Sequence, residues 1–490
     1  MLKVPSGLPI SPQDWERTPP AVQVLVIALW QQRQALKEQV TALEARIAAL
    51  QAEIERLREQ VHKNSRNSSK PPSSDPPQLR KYPQREKSGR KRGGQSGHPG
   101  KGRQLAPPER VSRVVVSKPC SCGQCGALLL GEDPSPRRHQ VSELPRVEPE
   151  ITEYQRHTLT CLACGTQTCG EWPAEMPSGS FGPRTQALIG YVGGRFGMSD
   201  RDSQELLEVA FHTEISLGSV PAQEQQVSAA LAQAVQAAQA HVRQQAYANV
   251  DETGWRQMDR RAWLWVAATA WVTVFVVLGT RGAAGLQRLL GEGFAGIVGT
   301  DRWSAYRGLD PLRRQVCWAH LKRDFQAFVD RGGECSIIGN LLLAQVKAIF
   351  ELWYRVRAGT LSRADYQCRM QPIQAEVRNL LRIGTLLDHR GTRKTCHNLL
   401  SLEPALWTFI AQAGVEPTNN AAERPLRRGV IWRRRSFGTQ SEAGSVFVER
   451  ILTAVTTLRQ QQRDVLDFLT EACQAHISGA HAPSLLPATG

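Results

Sequence analysis

The longest regular pattern in the chain lies near its start. Val26, Val40, Ile47, Ile54 and Val61 fall at heptad position a, and Val22, Leu29, Leu36, Leu43, Leu50 and Leu57 at position d. The alternating three–four spacing runs from Leu36 to Val61 without a slip, which predicts a helix with an apolar seam and a left-handed coiled coil over residues 1–62. β-Branched residues at a with Leu at d favour two parallel strands, so self-association through this segment is expected. Arg33 interrupts the a row at a local cost that fixes register. Glu53 at g and Arg58 at the next e are set to pair across such a dimer. The pattern then vanishes in residues 63–110, which are rich in Pro, Ser and Gly and read as a basic, disordered linker. Residues 111–180 carry two cysteine pairs, with HQVSELPRVEPEITEYQRHTLT alternating between them as strands would. Two amphipathic stretches follow in residues 181–245, broken near Met198-Ser199 and Ile215-Ser216. Ser199 and Ser216 look like helix caps, and a small helix-turn-helix-like DNA-binding domain is expected.

Strand patterning begins after that. Asn249–Trp255 opens a strand, and apolar strands are predicted around Trp263–Ala268 and Val272–Leu278. Ala283–Leu290 reads as a helix and Phe294–Asp301 as a buried strand ending in a carboxylate. Ala262–Gly279 is uncharged over eighteen residues, the lower limit for a membrane span. Its Trp, Val, Thr and Phe favour strands instead, with a turn near Thr269-Ala270, so a buried hairpin and no membrane association is expected. A β-β-β-α-β order with an Asp on the first and fourth strands is the plan of a ribonuclease-H-like α/β core. The fold class is therefore multidomain α+β.

Composition narrows the function. The 490 residues hold 61 Lys and Arg against 45 Asp and Glu, a net charge of +16. With 41% hydrophobic and 22% charged residues, wholesale disorder and fibrous repeats are excluded. Eleven cysteines are too sparse for a secreted disulfide scaffold, and no signal peptide is visible, so a cytoplasmic protein is expected. The segment Lys63–Arg103 holds twelve Lys or Arg against only Asp75 and Glu86. Its densest run, Arg90-Lys91-Arg92, is a candidate for salt-dependent phosphate contact, and DNA is the expected partner.

Cys122-Gly-Gln-Cys125-Gly and Cys161-Leu-Ala-Cys164-Gly repeat one knuckle thirty-nine residues apart. Four thiolates suit the tetrahedral preference of zinc, and a closed set leaves no open position, so a structural Zn2+ in a zinc-ribbon-like domain is expected. Cys120 is an alternative to Cys122 in that set. Asp251 and Asp301, on neighbouring strands, can share hard divalent cations, since paired carboxylates repel unless a cation neutralises them. Mg2+ (or Mn2+) is the natural occupant. A third acid is offered by Glu423 in PTNNAAERPLRR, where Asn419 or Asn420 can cap a helix. Asn420 with Glu423 also fits a capping box, although Pro425 argues against so early a cap. Glu252 faces the other way from Asp251 on its strand. Arg424, Arg427, Arg428, Arg433, Arg434 and Arg435, with Trp432 and Phe437 interleaved, are candidates for a DNA path beside the acids.

NSRNSSKPPSSDPP, the two CxxCG knuckles, VDETGWR, TDRWSAY, CWAHLKRDF, EPTNNAAERPLRR and RRSFGTQSEAGSVFVER, in this order, resemble the transposases of bacterial insertion-sequence family sixty-six over nearly the whole chain. The resemblance implies a DDE recombinase whose triad falls on Asp251, Asp301 and Glu423. It implies DNA cleavage and strand transfer by two-metal phosphoryl transfer at terminal inverted repeats and target DNA. It also implies a helical insertion, residues 321–411, splitting a catalytic core of 246–320 and 412–475, with 476–490 a flexible tail. Cys317-Trp-Ala-His320 is similar to a CxxH element of transposases with such insertions, which implies a structural or DNA-handling role. Small accessory proteins of the same element are further expected partners, and the protein would sit on the nucleoid when bound to DNA. A catalytically inactive or domesticated derivative acting as a DNA-binding regulator would instead leave the carboxylates dispensable. The sequence departs from the family at GRFGMSDRDSQ and at His212, which stands where a Gly is expected.

Overall fold

Fourteen α-helices and seven strands are found among the described residues, which are 3–68, 75 and 104–487 of this computed structural model. Arg90, Lys91 and Arg92 lie outside them. In chain order the first elements are α1 (Pro12–Arg17), α2 (Pro20–His62), β1 (Thr158–Thr160) and β2 (Gln167–Cys169). Then come α3 (Pro183–Tyr191), α4 (Asp200–Phe211), α5 (Ser219–Arg243), β3 (Tyr247–Gln257), β4 (Arg260–Ala268) and β5 (Thr273–Leu278). α6 (Ala283–Leu290), β6 (Ile297–Thr300) and β7 (Arg314–Val316) complete the strands. The rest is helical: α7 (Trp318–Arg331), α8 (Gly333–Arg357), α9 (Arg363–Gly384), α10 (Arg390–Ser401), α11 (Glu403–Ala411), α12 (Asn420–Ser436), α13 (Glu442–Gln460) and α14 (Val465–Ser478). The class is mixed α+β.

The chain divides into two compact units. One comprises Met1–Arg80, His320–Ser362 and Gln371–His397 and is wholly helical among its described residues. Pro20, at the first position of α2, has its φ preset for a helix and lacks only an N–H that would be unsatisfied there. The apolar heptad residues of α2 are exposed from Leu29 to Val61, Leu43 at 59% and Ile47 at 54%. Glu53 pairs within its own helix, accepting from Arg56 Nε at 2.7 Å. The last turns are anchored in the same unit, Glu59 to Arg331 at 3.2 Å and Glu55 to His389 at 3.1 Å. α8 is long and apolar enough to cross a membrane by length and composition, an apolar span in addition to Ala262–Gly279. Its Lys347 and Glu351 pair at 3.8 Å on one helix face, which suits a soluble helix better than a lipid-facing one.

The second unit comprises Lys81–Ala319, Arg363–Met370 and Asn398–Gly490. Its sheet runs β5-β4-β3-β6-β7, antiparallel among the first three strands and parallel among the last three. The uncharged stretch is the β4–β5 hairpin, closed where Thr269 N–H donates to the Val272 carbonyl at 2.9 Å. One face of the sheet packs Ala248, Val250, Trp265 and Val274 against α5, α6, α13 and α14. The other packs Trp255, Leu264, Val266 and Phe275 against Ala422 and Leu426 of α12 and Val448 and Leu452 of α13. Gly429 permits this approach: a Cβ there would stand 2.2 Å from Leu264 Cδ2.

Ser199 caps α4 in a full capping box with Asp202. Ser216 is not a cap; α5 begins at Ser219, and Ser216 lies in the turn before it, its hydroxyl 2.7 Å from that of Ser219. His212 ends α4 in the left-handed region, φ 47°, a position that glycine fills with least strain. Strands were expected through residues 139–160, but only Thr158–Thr160 forms one. Pro145 and Pro149 lack the amide a sheet ladder needs, which accounts for the loss.

Candidate active site and nucleic-acid interface

The sheet's register decides where the acids meet. β3 pairs β6 with Tyr247 opposite Ile297 and Asn249 opposite Gly299, and β6 pairs β7 with Thr300 opposite Val316. Continued past the last pairs, the same register sets Asp251, midway along β3, in one row with Asp301 and Cys317, which follow the carboxyl ends of β6 and β7. Parallel neighbours lie about 4.8 Å apart, so the two aspartates are adjacent. Strand alternation turns Asp251 to the face covered by α12 and Glu252 to the opposite face.

The third acid arrives with α12. Asn419, 1% exposed, precedes the helix, and its side chain does not cap it. Instead Asn419 Nδ2 donates to the Val250 carbonyl at 2.8 Å, and its backbone N–H donates to Cys317 Sγ at 3.2 Å. Trp318 N–H donates to the Pro417 carbonyl at 2.9 Å and Cys317 N–H to the Thr300 carbonyl at 2.9 Å. These bonds stitch the start of α12 to the middle of β3 and the ends of β6 and β7. The helix begins at Asn420 with Pro425 inside it, although the proline argued for a later start. Tertiary bonds at Asn419, together with Ala422 and Leu426 in the core, hold the first turn despite the missing amide. The capping box of Asn420 with Glu423 is not formed.

The electrostatics agree with the convergence. The Asp251 carboxyl is raised well above the usual carboxylate range, by burial first and then by the negative charges of Glu252, Asp301 and Glu423. Among the described residues of this unit, no three carboxylate, thiol or imidazole ligand atoms lie within 4.8 Å of one another. One ion gripped by all three acids is therefore not prearranged, whereas a pair of ions about 3.5–4 Å apart tolerates wider acids. A Glu423 carboxylate oxygen and Cys317 Sγ lie within 4.8 Å. His320 follows one helical turn after Cys317 and is half-buried.

The supporting roles of Glu252, Arg281, Tyr306 and Arg314 are not legible in the sequence. Glu252, 7% exposed, accepts from Arg281 Nε at 2.9 Å and from the Tyr306 hydroxyl, and burial first, opposed by the Tyr306 bond, lifts its carboxyl to about 7. Arg281 in turn stacks 3.7 Å over the Trp303 ring. Arg314, 1% exposed, donates to Thr300 Oγ1 at 2.9 Å, to the Tyr306 carbonyl at 2.9 Å and to the Asp301 carbonyl at 2.7 Å. It fixes the backbone that carries Asp301, whose Oδ1 accepts from Trp303 N–H at 2.8 Å. Trp303 and Tyr306 stand in the TDRWSAY stretch and Glu252 in VDETGWR, the two signals that bear on this cluster.

A family model described as Transposase IS66 family matches residues 180–446, a span that holds all three acids and the strands and helices that position them. The chain belongs to this family. A second model, a family of unknown function (DUF6444), matches residues 12–104. The uncharacterized protein y4qI of Sinorhizobium fredii is 28% identical over 210 residues, 39% of this chain and 38% of that protein. The chain thus matches well under two thirds of the relative's length.

Within this IS66-family chain the arginines of α12 divide by contact. Arg433 donates to the Gly254 carbonyl, and Arg435 donates to the carbonyls of Phe196 at 3.0 Å and Gly197 at 3.3 Å. These two brace the fold. Arg424, Arg427, Arg428 and Arg434 are exposed. The cysteine knuckles are matched in detail. Gly126 N–H returns to the Cys122 carbonyl at 2.9 Å and Gly165 N–H to the Cys161 carbonyl at 2.8 Å, with both glycines at positive φ. Backbone bonds from Cys125 and Gln124 lower the Cys122 thiol, and bonds from Thr166 lower that of Cys164. The two knuckles are each closed locally, but their four sulfurs are not gathered within 4.8 Å of one another.

Proposed function

We propose that the chain is a DDE-type transposase that cleaves DNA and joins strands at the ends of an insertion sequence, with Asp251, Asp301 and Glu423 as its catalytic acids. The observation that carries this reading is the row formed by the middle of β3 and the end of β6, completed by the first turn of α12. Three like charges crowded at a partly buried point demand a hard cation, and an all-oxygen donor set suits Mg2+ or Mn2+. When bound, a pair of such ions lowers the pKa of an attacking oxygen and stabilises the leaving one.

The chain's own residues supply position. Asn419 and Cys317 hold Glu423 against β3, Arg314 holds the Asp301 backbone, and the Glu252–Arg281–Tyr306 cluster stiffens the sheet behind Asp251. The sheet flanked by helices supports a ribonuclease-H-like core spanning 246–320 and 412–475, with 321–411 as the insertion. Exposed Arg427 and Arg434, on the Glu423 side of α12, and Arg424 and Arg428, on its other side, offer contacts to DNA phosphates, and the basic composition of residues 63–103 adds charge for the same partner. The exposed heptad face of α2 fits a second copy of this chain, giving a parallel dimer. The paired knuckles bind one structural Zn2+ through Cys122, Cys125, Cys161 and Cys164 once brought together.

The test is strand transfer with DNA carrying the element's terminal repeats. Asp251→Asn is expected to abolish joining while binding the same DNA with near wild-type affinity. Joining by that variant at the wild-type rate would sink the reading.

A further inference from the structure

Behind α12, away from the acids, lies a second charged site. Ala421, Arg424, Pro425 and Arg428 share one face of α12 at spacings of three and four, and Glu423 lies on the opposite side of the helix. With Gly194, Arg195, Thr269, Thr273, Leu452, Arg459 and Gln460 they line a cleft of about 560 Å3. Four guanidinium groups therefore border one cavity.

The fold sets Arg195 there deliberately. Val192–Phe196 is a single π-helical turn, an element common at functional sites. Its Gly194 lies against α13 so closely that a Cβ would stand 2.2 Å from Ile451 Cγ1. Arg435 holds the far end of the turn through the carbonyls of Phe196 and Gly197. The Nε of Arg195 is buried and has no hydrogen-bond partner. Burial first, and then the charges of Arg428 and Arg459, push its guanidinium below its usual range. Among the described residues no carboxylate pairs with Arg195, Arg424, Arg428 or Arg459. The nearby acid, Glu224, is pushed up to about 8 by burial and then by Asp200, so its neutral form is favoured at pH 7.

A crowd of like charges around a buried, unsatisfied donor is unfavourable unless an anion joins it. We infer that this cleft binds a phosphodiester group of DNA, at a site separate from the catalytic acids, with Arg195 and Arg459 as ligands alongside Arg424 and Arg428. Guanidinium forks match phosphate oxygens, and the apolar wall of Pro425, Leu452 and Val455 beside them accommodates sugar or base. A strand held here lies on one side of α12 while the scissile strand meets Glu423 on the other. The inference rests on the reading that this chain handles DNA.

The full-length protein, with EDTA present to exclude metal-dependent binding, is titrated with a fluorescent DNA oligonucleotide across a salt series. Arg195→Ala combined with Arg459→Ala is expected to weaken binding about tenfold and to lower the slope of log K against log salt by about 0.7–0.9, one phosphate contact. Arg459→Lys, which keeps the charge, should retain the slope. Independently of folding in the variants, DNA should protect Arg195 and Arg459 of the wild-type protein from phenylglyoxal, read by peptide mass spectrometry. Unchanged affinity and slope in the double variant, or no protection, overturns the cleft while leaving the DNA reading intact. Protection by millimolar inorganic phosphate but not by DNA overturns the assignment to DNA. Failure of the wild-type protein to bind DNA at all overturns both.

Discussion

The acid site and the cysteine knuckles are built by opposite strategies within one compact unit. Asp251, Asp301 and Glu423 are brought together by long-range packing: two strands in register, a helix held by Asn419, and a buried Arg314 behind them. The knuckles are made by a few local backbone bonds each, and Cys120, Cys125, Cys161 and Cys164 stay exposed. The first arrangement exists because a hydrophobic core forces it. The second has almost no buried apolar surface around it, so the halves are not joined by packing, and the proposed zinc would join them. A pre-formed site can lose its chemistry without losing its shape, whereas a ligand-assembled one loses both together.

The sharpest way to break that contrast is Asp251→Asn. The core does not need the Asp251 charge, which is strained by burial and three neighbouring acids. Strand transfer is expected to fall at least about 10³-fold with no loss in melting temperature, checked by an end-joining assay and thermal unfolding. An unfolded variant would show that the site is not independently pre-formed.

Next in size is the knuckle region. One zinc per chain is expected by metal analysis, and Cys161→Ser should abolish it and expose residues 111–176 to protease. The sheet domain should melt as before. A large drop in its melting temperature would show that the knuckles are coupled to the core after all.

Legibility in the sequence followed the same divide. What is encoded within a few residues could be read: the long helix α2, the local turns of the knuckles, the β4–β5 hairpin and the Ser199 cap. One long-range feature, Asp251 on a strand beside that of Asp301, was legible from the order of strands. Roles defined by distant partners could not. Asn419 looked like a helix cap, but its amide is taken by Val250, 169 residues away. Arg314 had no visible motif, since its partners Thr300, Asp301 and Tyr306 are reached only by strand pairing and a turn. Glu252 faces away from Asp251 by strand alternation, and the face it shares holds Arg281 and Tyr306, invisible until β3 is packed. Ser216 misled because a turn just before a helix has the composition of a cap.

Asn419→Ala tests whether one buried amide links packing to chemistry. Losing the bond to Val250 should cost about 1–3 kcal/mol of stability, seen in urea unfolding of the full chain. Strand transfer should fall by more than DNA binding does, because Glu423 is no longer held against β3. Equal losses in both would make Asn419 a residue of the fold alone.

The smallest expected effect separates the two regions by pH. Glu449 of α13 accepts from Val277 N–H at 2.7 Å, and burial, outweighing that bond and the charges of Arg450 and Arg288, raises its carboxyl to about 7. The folded protein therefore holds a proton here that the unfolded chain has released, over the window from about 4.5 to about 7. Core stability from this group is full at the acid end and declines as pH rises across the window, by on the order of 2–3 kcal/mol. Glu449→Gln keeps an acceptor for Val277 and carries no charge, so its unfolding free energy should be flatter with pH than the wild type's. The proposed zinc site should run the other way, since thiols must lose protons to bind metal, so its affinity is expected to rise with pH. Urea unfolding followed by tryptophan fluorescence, beside zinc titration of the same samples from pH 5 to 8, measures both slopes. If Glu449→Gln leaves the core's pH dependence unchanged, the buried acid is solvated in the folded state, and the sheet domain is less tightly packed around α13 than its burial implies.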